Sequence, residues 1–327
     1  MADRDLVVAG GSLGALEAAG ALLAGLPADL AAAVLLVITP ARVRDAETLD
    51  RAGPLPVATA TDGAPLLPGH VYVAPPGLHL LVGSGHRVRL SDAAPYHRVR
   101  PAIDPLLLTA ARWAGPRTVG ILLSGVFDDG IAGLAALGMH GGLTAVQHPD
   151  DAAYPDLPAT ALRMRPDHVA PATTLAGTLP GLLTTAGPAP AELHPVLITE
   201  TDMLLHATTA ERPDDQHRRP VPVGCPDCGG GIHRVDIAGT IRYGCHVGHG
   251  FAPHSMLAAQ ADNAEAGLMT VASTLRDQAE IYRHLAAQAD TADEADRYHA
   301  AAHTSEHTAD TIQNLRQHVG ATRPANP

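Results

Sequence analysis

The stretch Leu6-Val7-Val8-Ala9-Gly10-Gly11-Ser12-Leu13-Gly14-Ala15 decides how this chain is read. An apolar strand runs into a glycine turn and then into a helix expected over Leu16 to Leu26. Gly10-x-Ser12-x-Gly14 fits the G-x-S-x-G elbow, in which glycines let the chain turn sharply and present the hydroxyl. Serine is a weak nucleophile at neutral pH and needs an adjacent base. The first histidine in the chain is His70, so no imidazole is available at the end of the next strand. The elbow therefore belongs to a disabled esterase or to one that recruits its base from elsewhere. A phosphate-binding turn is the competing reading, because N–H groups at a helix N-terminus favour anions. The dinucleotide fingerprint G-x-G-x-x-G is not met, since Ser12 stands at its third position. Spacing alone leaves nucleophile and structural turn both open.

Working outward, residues 5 to about 183 alternate strand and helix. Val34 to Ile38 is a second apolar run, and Val71 to Ala74 and Leu80 to Val82 read as short strands. Leu106 to Ala114 reads as helix, Thr118 to Leu123 as buried strand, Ile131 to Leu137 as helix and Leu143 to Gln147 as strand. This rhythm predicts an α/β domain over residues 1–185, with a doubly wound, mostly parallel sheet covered on both faces. Chemistry then gathers at the carboxyl ends of the strands. Those ends carry Ser12, Thr39-Pro40 and the turn Ser124-Gly125-Val126-Phe127-Asp128-Asp129-Gly130. His70, His79, His97, His140 and His148 are the imidazoles that could substitute for a missing base. An ordinary structural role is the simpler reading for each.

Composition narrows the function classes. The chain has 327 residues, 46% hydrophobic and 17% charged, enough for a sizeable core. All 22 basic residues are arginine, so P-loop, Schiff-base and Ser-Lys chemistry is excluded. A net charge of −12 argues against nucleic acid as a partner. No apolar run reaches the length of a membrane span, and the first residues lack the pattern of a signal peptide. A cytoplasmic location is the expectation.

Residues 186–224 are proline-rich, include a charged run from Glu211 to Arg219, and are expected to be a linker holding one helix over Ala191 to Ala207. The module at 225–254 carries all three cysteines. Cys225-Pro226-Asp227-Cys228 is a knuckle whose thiols can face one ion, and Cys245-His246-Val247-Gly248-His249 supplies the other half. Cys225, Cys228, Cys245 and His249 make a Cys₃His set suited to structural Zn²⁺, with His246 the alternative fourth ligand. Ile232 to Ile241 reads as a hairpin, and so small a module depends on metal for its stability.

Residues 255–320 read as two helices broken at Asp290 to Asp293, with an apolar stripe of Leu257, Leu268, Val271, Leu275, Ile281, Tyr282 and Leu285. Antiparallel pairing is expected, serving docking or homo-oligomerisation. His299, His303 and His307 share one helix face, where a solvated surface is the plain reading and a metal or pH-sensitive interface the sharper one.

Several stretches together resemble the bacterial chemotaxis receptor methylesterases, the CheB family. The resemblance rests on Gly10-Gly11-Ser12-Leu13-Gly14, Asp62-Gly63, Pro68-Gly69-His70-Val71-Tyr72-Val73-Ala74-Pro75-Pro76, Arg100-Pro101-Ala102-Ile103-Asp104, and Gly120 to Gly133. It implies hydrolysis of glutamate γ-methyl esters on receptor signalling helices, and in some members deamidation of receptor glutamines. It implies Ser12 as nucleophile, Asp129 as the acid of the triad and the Leu13 backbone N–H as oxyanion donor. It also places Thr39 where the family carries its histidine. Val126-Phe127 stands where the family has Met-Gly, and Val99 where it often has histidine. Some standalone relatives carry a similar cysteine and helical tail, which strengthens the zinc reading.

The chain is thus expected to be a methylesterase-type domain impaired at the base, acting on or recognising a methyl-accepting receptor or other helical signalling protein. A non-catalytic scaffold using the zinc module and helices is the alternative, and a nucleotide-sensing α/β module the weaker third. No receiver domain is recognised ahead of the first strand, so control by phosphorylation of such a module is not expected.

Overall fold

The computed structural model describes residues 4–206 and 217–321. The chain divides into two units, Met1–Met256 and Leu257–Pro327. The first opens with β1 (Leu6–Gly11), α1 (Ala15–Ala24), β2 (Ala33–Ile38), α2 (Asp45–Asp50), β3 (Val57–Thr59) and β4 (Val71–Val73). A hairpin of β5 (His79–Gly83) and β6 (Arg87–Ser91) precedes α3 (Ile103–Trp113), β7 (Thr118–Leu122), α4 (Ile131–Met139) and β8 (Leu143–Gln147). The α/β part closes with α5 (Asp156–Ala161), β9 (His168–Ala170) and α6 (Ala172–Leu183).

Seven strands form one parallel sheet in the order β3-β4-β2-β1-β7-β8-β9. Every residue of β1, β2 and β7 is buried, which is why these strands read as unbroken apolar runs. Side-chain alternation splits the core in two. Val7, Ala9, Val34 and Leu36 pack with α1 and α6, whereas Leu6, Val8, Leu35 and Val37 pack with α3 and α4. The order reverses beside β1, so the carboxyl ends of β1 and β7 flank the crevice where a doubly wound sheet places its ligand site. The β5–β6 pair is antiparallel and forms its own two-stranded sheet.

Within residues 186–224 the helix is shorter than expected. It is α7 (Pro195–Leu204), with proline in its first turn and the His194 ring accepting the Val196 N–H. Val196, Leu197 and Leu204 are buried in the core, so this segment is packed chain and not a free spacer. Residues 207–216, and with them Glu211 to Gln216 of the charged run, lie outside the described residues. Beyond them, β10 (Arg218–Gly224), β11 (Gly231–Ile237), β12 (Thr240–Cys245) and β13 (Gly250–Phe251) form an antiparallel sheet in that order. Arg242, in β12, is 1% exposed; its guanidinium lies 3.1 Å from Glu200 of α7 and stacks 4.3 Å over the Tyr96 ring. Arg218 reaches the other Glu200 oxygen at 2.6 Å. These ion pairs join the small sheet to the α/β layers within one unit.

The second unit holds most of α8 (Pro253–Ala287) and α9 (Ala292–Ala321), running antiparallel. Ala272, Ala279 and Ala286 recur every seven residues on α8 and meet a face with Ala302 and Ala309 buried. Tyr282 stacks on Tyr298 at 6.4 Å, and Arg283 reaches Glu306 at 2.6 Å. Of the expected stripe, Leu268, Leu275 and Tyr282 lie along this seam, while Leu257, Val271, Ile281 and Leu285 are exposed. The period is the heptad 3.5 of paired helices, and the buried seam is built mainly of alanine, which an apolar-stripe reading overlooks. Among the described residues no helix is long and apolar enough to cross a membrane.

Candidate active site

Ser12 sits on the sharp turn between β1 and α1. Gly14 there has φ +74°, the left-handed region that glycine enters without steric cost. The Ser12 N–H donates to Ser124 O at 3.0 Å, and Ser124 N–H is held by Gln147 Oε1 at 2.8 Å. The turn after β7 thus braces the serine turn. A Cβ on Gly125 would lie 2.6 Å from Ser12 Oγ, so only glycine lets the two turns approach so closely. Ser12 Oγ accepts the Val126 N–H at 2.9 Å. Among the described residues no imidazole is hydrogen-bonded to that oxygen. Leu13 is 43% exposed, and its N–H makes no hydrogen bond among the described residues.

Thr39 follows β2, whose last residue Ile38 is in register with Gly11, so Thr39 and Ser12 occupy adjoining strand ends. The Thr39 N–H donates to Gly11 O at 3.0 Å, and the residue is 5% exposed. A hydroxyl at this place cannot take a proton near neutral pH.

Asp129 lies on the same edge of the sheet but is bonded elsewhere. Its Oδ2 accepts the Ile103 N–H at 2.8 Å and its Oδ1 the Asp104 N–H at 2.9 Å, so it caps α3. Burial pushes its carboxyl up to about 6, against the pull of His97. His97 Nε2 lies 3.3 Å from Asp129 Oδ1 and 3.2 Å from Asp104 Oδ2, with its side chain 5% exposed. Burial alone would push the His97 imidazole down. The Asp129 and Asp104 carboxylates outweigh it and hold the ring above its ordinary value. Among the described residues no hydrogen bond joins Asp129 to Ser12 or Thr39.

The four other candidate imidazoles have other partners. His79 is fully buried, and burial pushes it down to about 4; its Nδ1 accepts the Ala102 N–H. His140 ends α4, with Nδ1 2.7 Å from Ala136 O. His70 and His148 bond to their own turns. Asp128 caps a different helix from Asp129. Its carboxylate accepts the N–H groups of His254 at 2.8 Å and Ser255 at 3.2 Å, in the first turn of α8. Phe127 is 45% exposed and has φ +63°, a conformation costly for a side chain.

Cys225, Cys228, Cys245 and His249 converge, all four donor atoms lying within 4.8 Å of one another. His249 Nδ1 is 3.7 Å from Cys225 Sγ and 3.5 Å from Cys245 Sγ, and Cys228 Sγ is 3.8 Å from Cys245 Sγ. A tetrahedral ion with Zn–S of about 2.3 Å and Zn–N of about 2.0–2.1 Å has ligand edges of about 3.5–3.8 Å, so these residues fit zinc. The ring of His246 lies elsewhere, against Gly230, where a Cβ would be 2.8 Å from its Nδ1.

A family model described as CheB methylesterase matches residues 7–179. A protein-glutamate methylesterase/protein-glutamine glutaminase of Xanthomonas euvesicatoria is 37% identical over 164 residues, 49% of this chain and 46% of that protein. A namesake from Anaeromyxobacter dehalogenans is 41% identical over 149 residues, 44% of this chain and 42% of the relative. The match thus spans about half the length of these curated relatives. Among solved structures, the Thermotoga maritima CheB methylesterase catalytic domain superposes with a TM-score of 0.53 at 27% identity, covering 55% of this chain and 98% of that domain. With the matched segment running through both turns of the site and all seven strands, the chain belongs to the CheB methylesterase family.

Proposed function

We propose that the α/β domain is a protein-glutamate methylesterase domain with weakened hydrolysis that still recognises esterified or acidic side chains of a helical receptor. The observation that carries this is the setting of Ser12. Its oxygen receives the Val126 N–H, and the adjoining strand end presents Thr39 where a proton acceptor is required. In such a site Ser12 Oγ attacks the ester carbonyl carbon and gives up its proton to solvent, the carbonyl oxygen gains negative charge beside the Leu13 N–H, and the C–O bond to methoxide breaks as methoxide takes a proton back from solvent and leaves as methanol. Water then releases the acyl group as glutamate. With no base, the serine proton has no internal destination. Loss of the histidine from a serine-hydrolase triad costs about 10⁶ in kcat, with ~10³–10⁴ over water remaining from binding and the oxyanion hole. Methanol release from methylated receptor fragments tests the reading. Slow release that disappears in Ser12→Ala supports it; equal release from both proteins sinks it.

A scaffold without catalysis is favoured by one observation: Asp129 is committed to α3 and His97. Under that reading receptor fragments bind, and neither protein releases methanol.

The Cys₃His cluster supports structural zinc held by Cys225, Cys228, Cys245 and His249. Four protein ligands complete the shell and leave no open position, so the ion would stabilise the β10–β13 sheet and activate no water. The paired helices α8 and α9 are proposed to dock a partner or a second copy of the chain.

A further inference from the structure

Three donor atoms outside the cysteine cluster also converge. His97 Nε2, Asp104 Oδ2 and Asp129 Oδ1 lie within 4.8 Å of one another, with the imidazole 3.2 and 3.3 Å from the two oxygens. All three side chains are at most 10% exposed. Their outer atoms are already bonded. Asp104 Oδ1 accepts the Gly133 N–H at 2.7 Å, and Asp129 accepts two N–H groups of α3. His97 Nδ1 is 2.7 Å from Ser255 Oγ. Ala252 O lies 2.9 Å from that hydroxyl and can take its hydrogen, which leaves an Oγ lone pair for a hydrogen on Nδ1. The Ala252 N–H lies closer to Ser255 Oγ, at 3.0 Å, than to Nδ1, at 3.3 Å, and so is satisfied without the ring.

Nε2 faces two carboxylate oxygens in a buried place, so positive charge, a proton or a metal ion, belongs between them. A proton leaves one negative charge uncompensated among the three groups. A divalent ion brings two carboxylates and a neutral imidazole to zero. Ligand atoms about 2.0–2.2 Å from a metal stand ~3.0–3.5 Å apart at octahedral to tetrahedral angles, which matches both measured separations. The outer bonds are those that metal ligands make, with the second ring N–H on an oxygen and the carboxylates oriented by backbone donors.

A serine–histidine–aspartate relay through Ser255 is the other arrangement these groups suggest. Here the Ser255 hydroxyl can give its hydrogen to Ala252 O, and the Asp128 carboxylate covers the helix N–H groups an oxyanion would need. The trio is therefore not set up for nucleophilic attack.

We propose that His97, Asp104 and Asp129 bind a divalent transition-metal ion, a second metal site distinct from the Cys₃His cluster. Mixed imidazole and carboxylate donors suit zinc or manganese. Its role would be structural, tying the loop bearing His97 to α3 and to the turn after β7. It does not depend on whether Ser12 is active.

The test uses the full chain loaded with ¹¹³Cd²⁺ as the probe, with metal content measured on the same sample. Two equivalents are expected, giving one far-downfield thiolate resonance and one upfield resonance from nitrogen and oxygen ligands. Coupling of the upfield ion to His97 Nε2 in ¹⁵N-labelled protein locates it without any substitution. His97→Gln and Asp104→Asn should remove only the upfield signal, and Cys228→Ser only the downfield one. A single thiolate resonance, with His97 nitrogens showing a doubly protonated ring, overturns the proposal. So does an upfield signal that survives His97→Gln, which would put the second ion elsewhere.

Discussion

The Val126 backbone N–H and the Ser12 hydroxyl oxygen are joined at 2.9 Å, across the gap between the turns that follow β7 and β1. The serine is therefore oriented by a donor, while among the described residues no side chain accepts its proton. Restoring that acceptor should restore rate. Thr39→His is expected to raise methanol release by about 10²–10⁴, the usual contribution of a positioned general base. A Thr39→His protein that folds, binds receptor fragments and is no faster than the parent would place the defect elsewhere, most directly at Asp129.

Phe127→Gly should stabilise the protein. The phenylalanine occupies φ +63° and is 45% exposed, so its removal relieves left-handed strain and forfeits little burial. A gain of about 1 kcal/mol is expected, measured as an upward shift of the thermal midpoint. An unchanged or lowered midpoint would mean that the ring contributes packing beyond its exposure.

Glu200 binds two arginines, and Arg242 is buried with it. Glu200→Gln leaves a buried guanidinium without its anion and should cost about 3–5 kcal/mol in urea unfolding. Arg283→Ala, which removes an exposed pair with Glu306 on α9, should change stability little in the same experiment.

His79 gives the fold a pH dependence. Its folded value of about 4 lies below the ordinary 6.5, so the charged ring is disfavoured in the native state. Its contribution is whole above about pH 6.5 and is lost progressively as pH falls towards 4. At 1.36 kcal/mol per unit the full loss is about 3 kcal/mol. Unfolding free energies of the parent and His79→Gln, compared between pH 7 and 4, should converge as acid is added. Parallel curves would exclude the effect.

Stripping metal with a chelator should melt the β10–β13 sheet first, read as loss of amide protection from Gly231 to Cys245. Cys245→Ser should mimic the chelator. Protection that is indifferent to both would leave the sheet standing on Ile232, Val235, Ile237 and the Arg242–Glu200 pair alone.

Much of this architecture was legible in sequence because it follows from local pattern. Apolar runs marked β1, β2 and β7, the strand–helix rhythm marked β8, glycine marked the serine turn, and the C-x₂-C spacing marked the cysteine cluster. Contacts made over long separations were not legible. Nothing local in Pro95-Tyr96-His97-Arg98 says that the imidazole turns onto Asp129, 32 positions further on; the only trace is a left-handed backbone at His97 and Arg98, residues that give no glycine-like hint. Arg242 reads as a surface residue of a short strand until Glu200 is known to lie beside it. Helix α7 was expected within Ala191 to Ala207, but its bounds and its burial against the α/β layers were not legible among the prolines around it.

Asp128 also sets where this protein can be cut. A recombinant fragment ending at residue 179, where the match to the family model ends, would lack His254 and Ser255, leaving that carboxylate with no helix to hold and His97 with no hydroxyl behind it. The family-matched portion shares these bonds with chain beyond it, and the smallest piece expected to survive isolation extends through Met256.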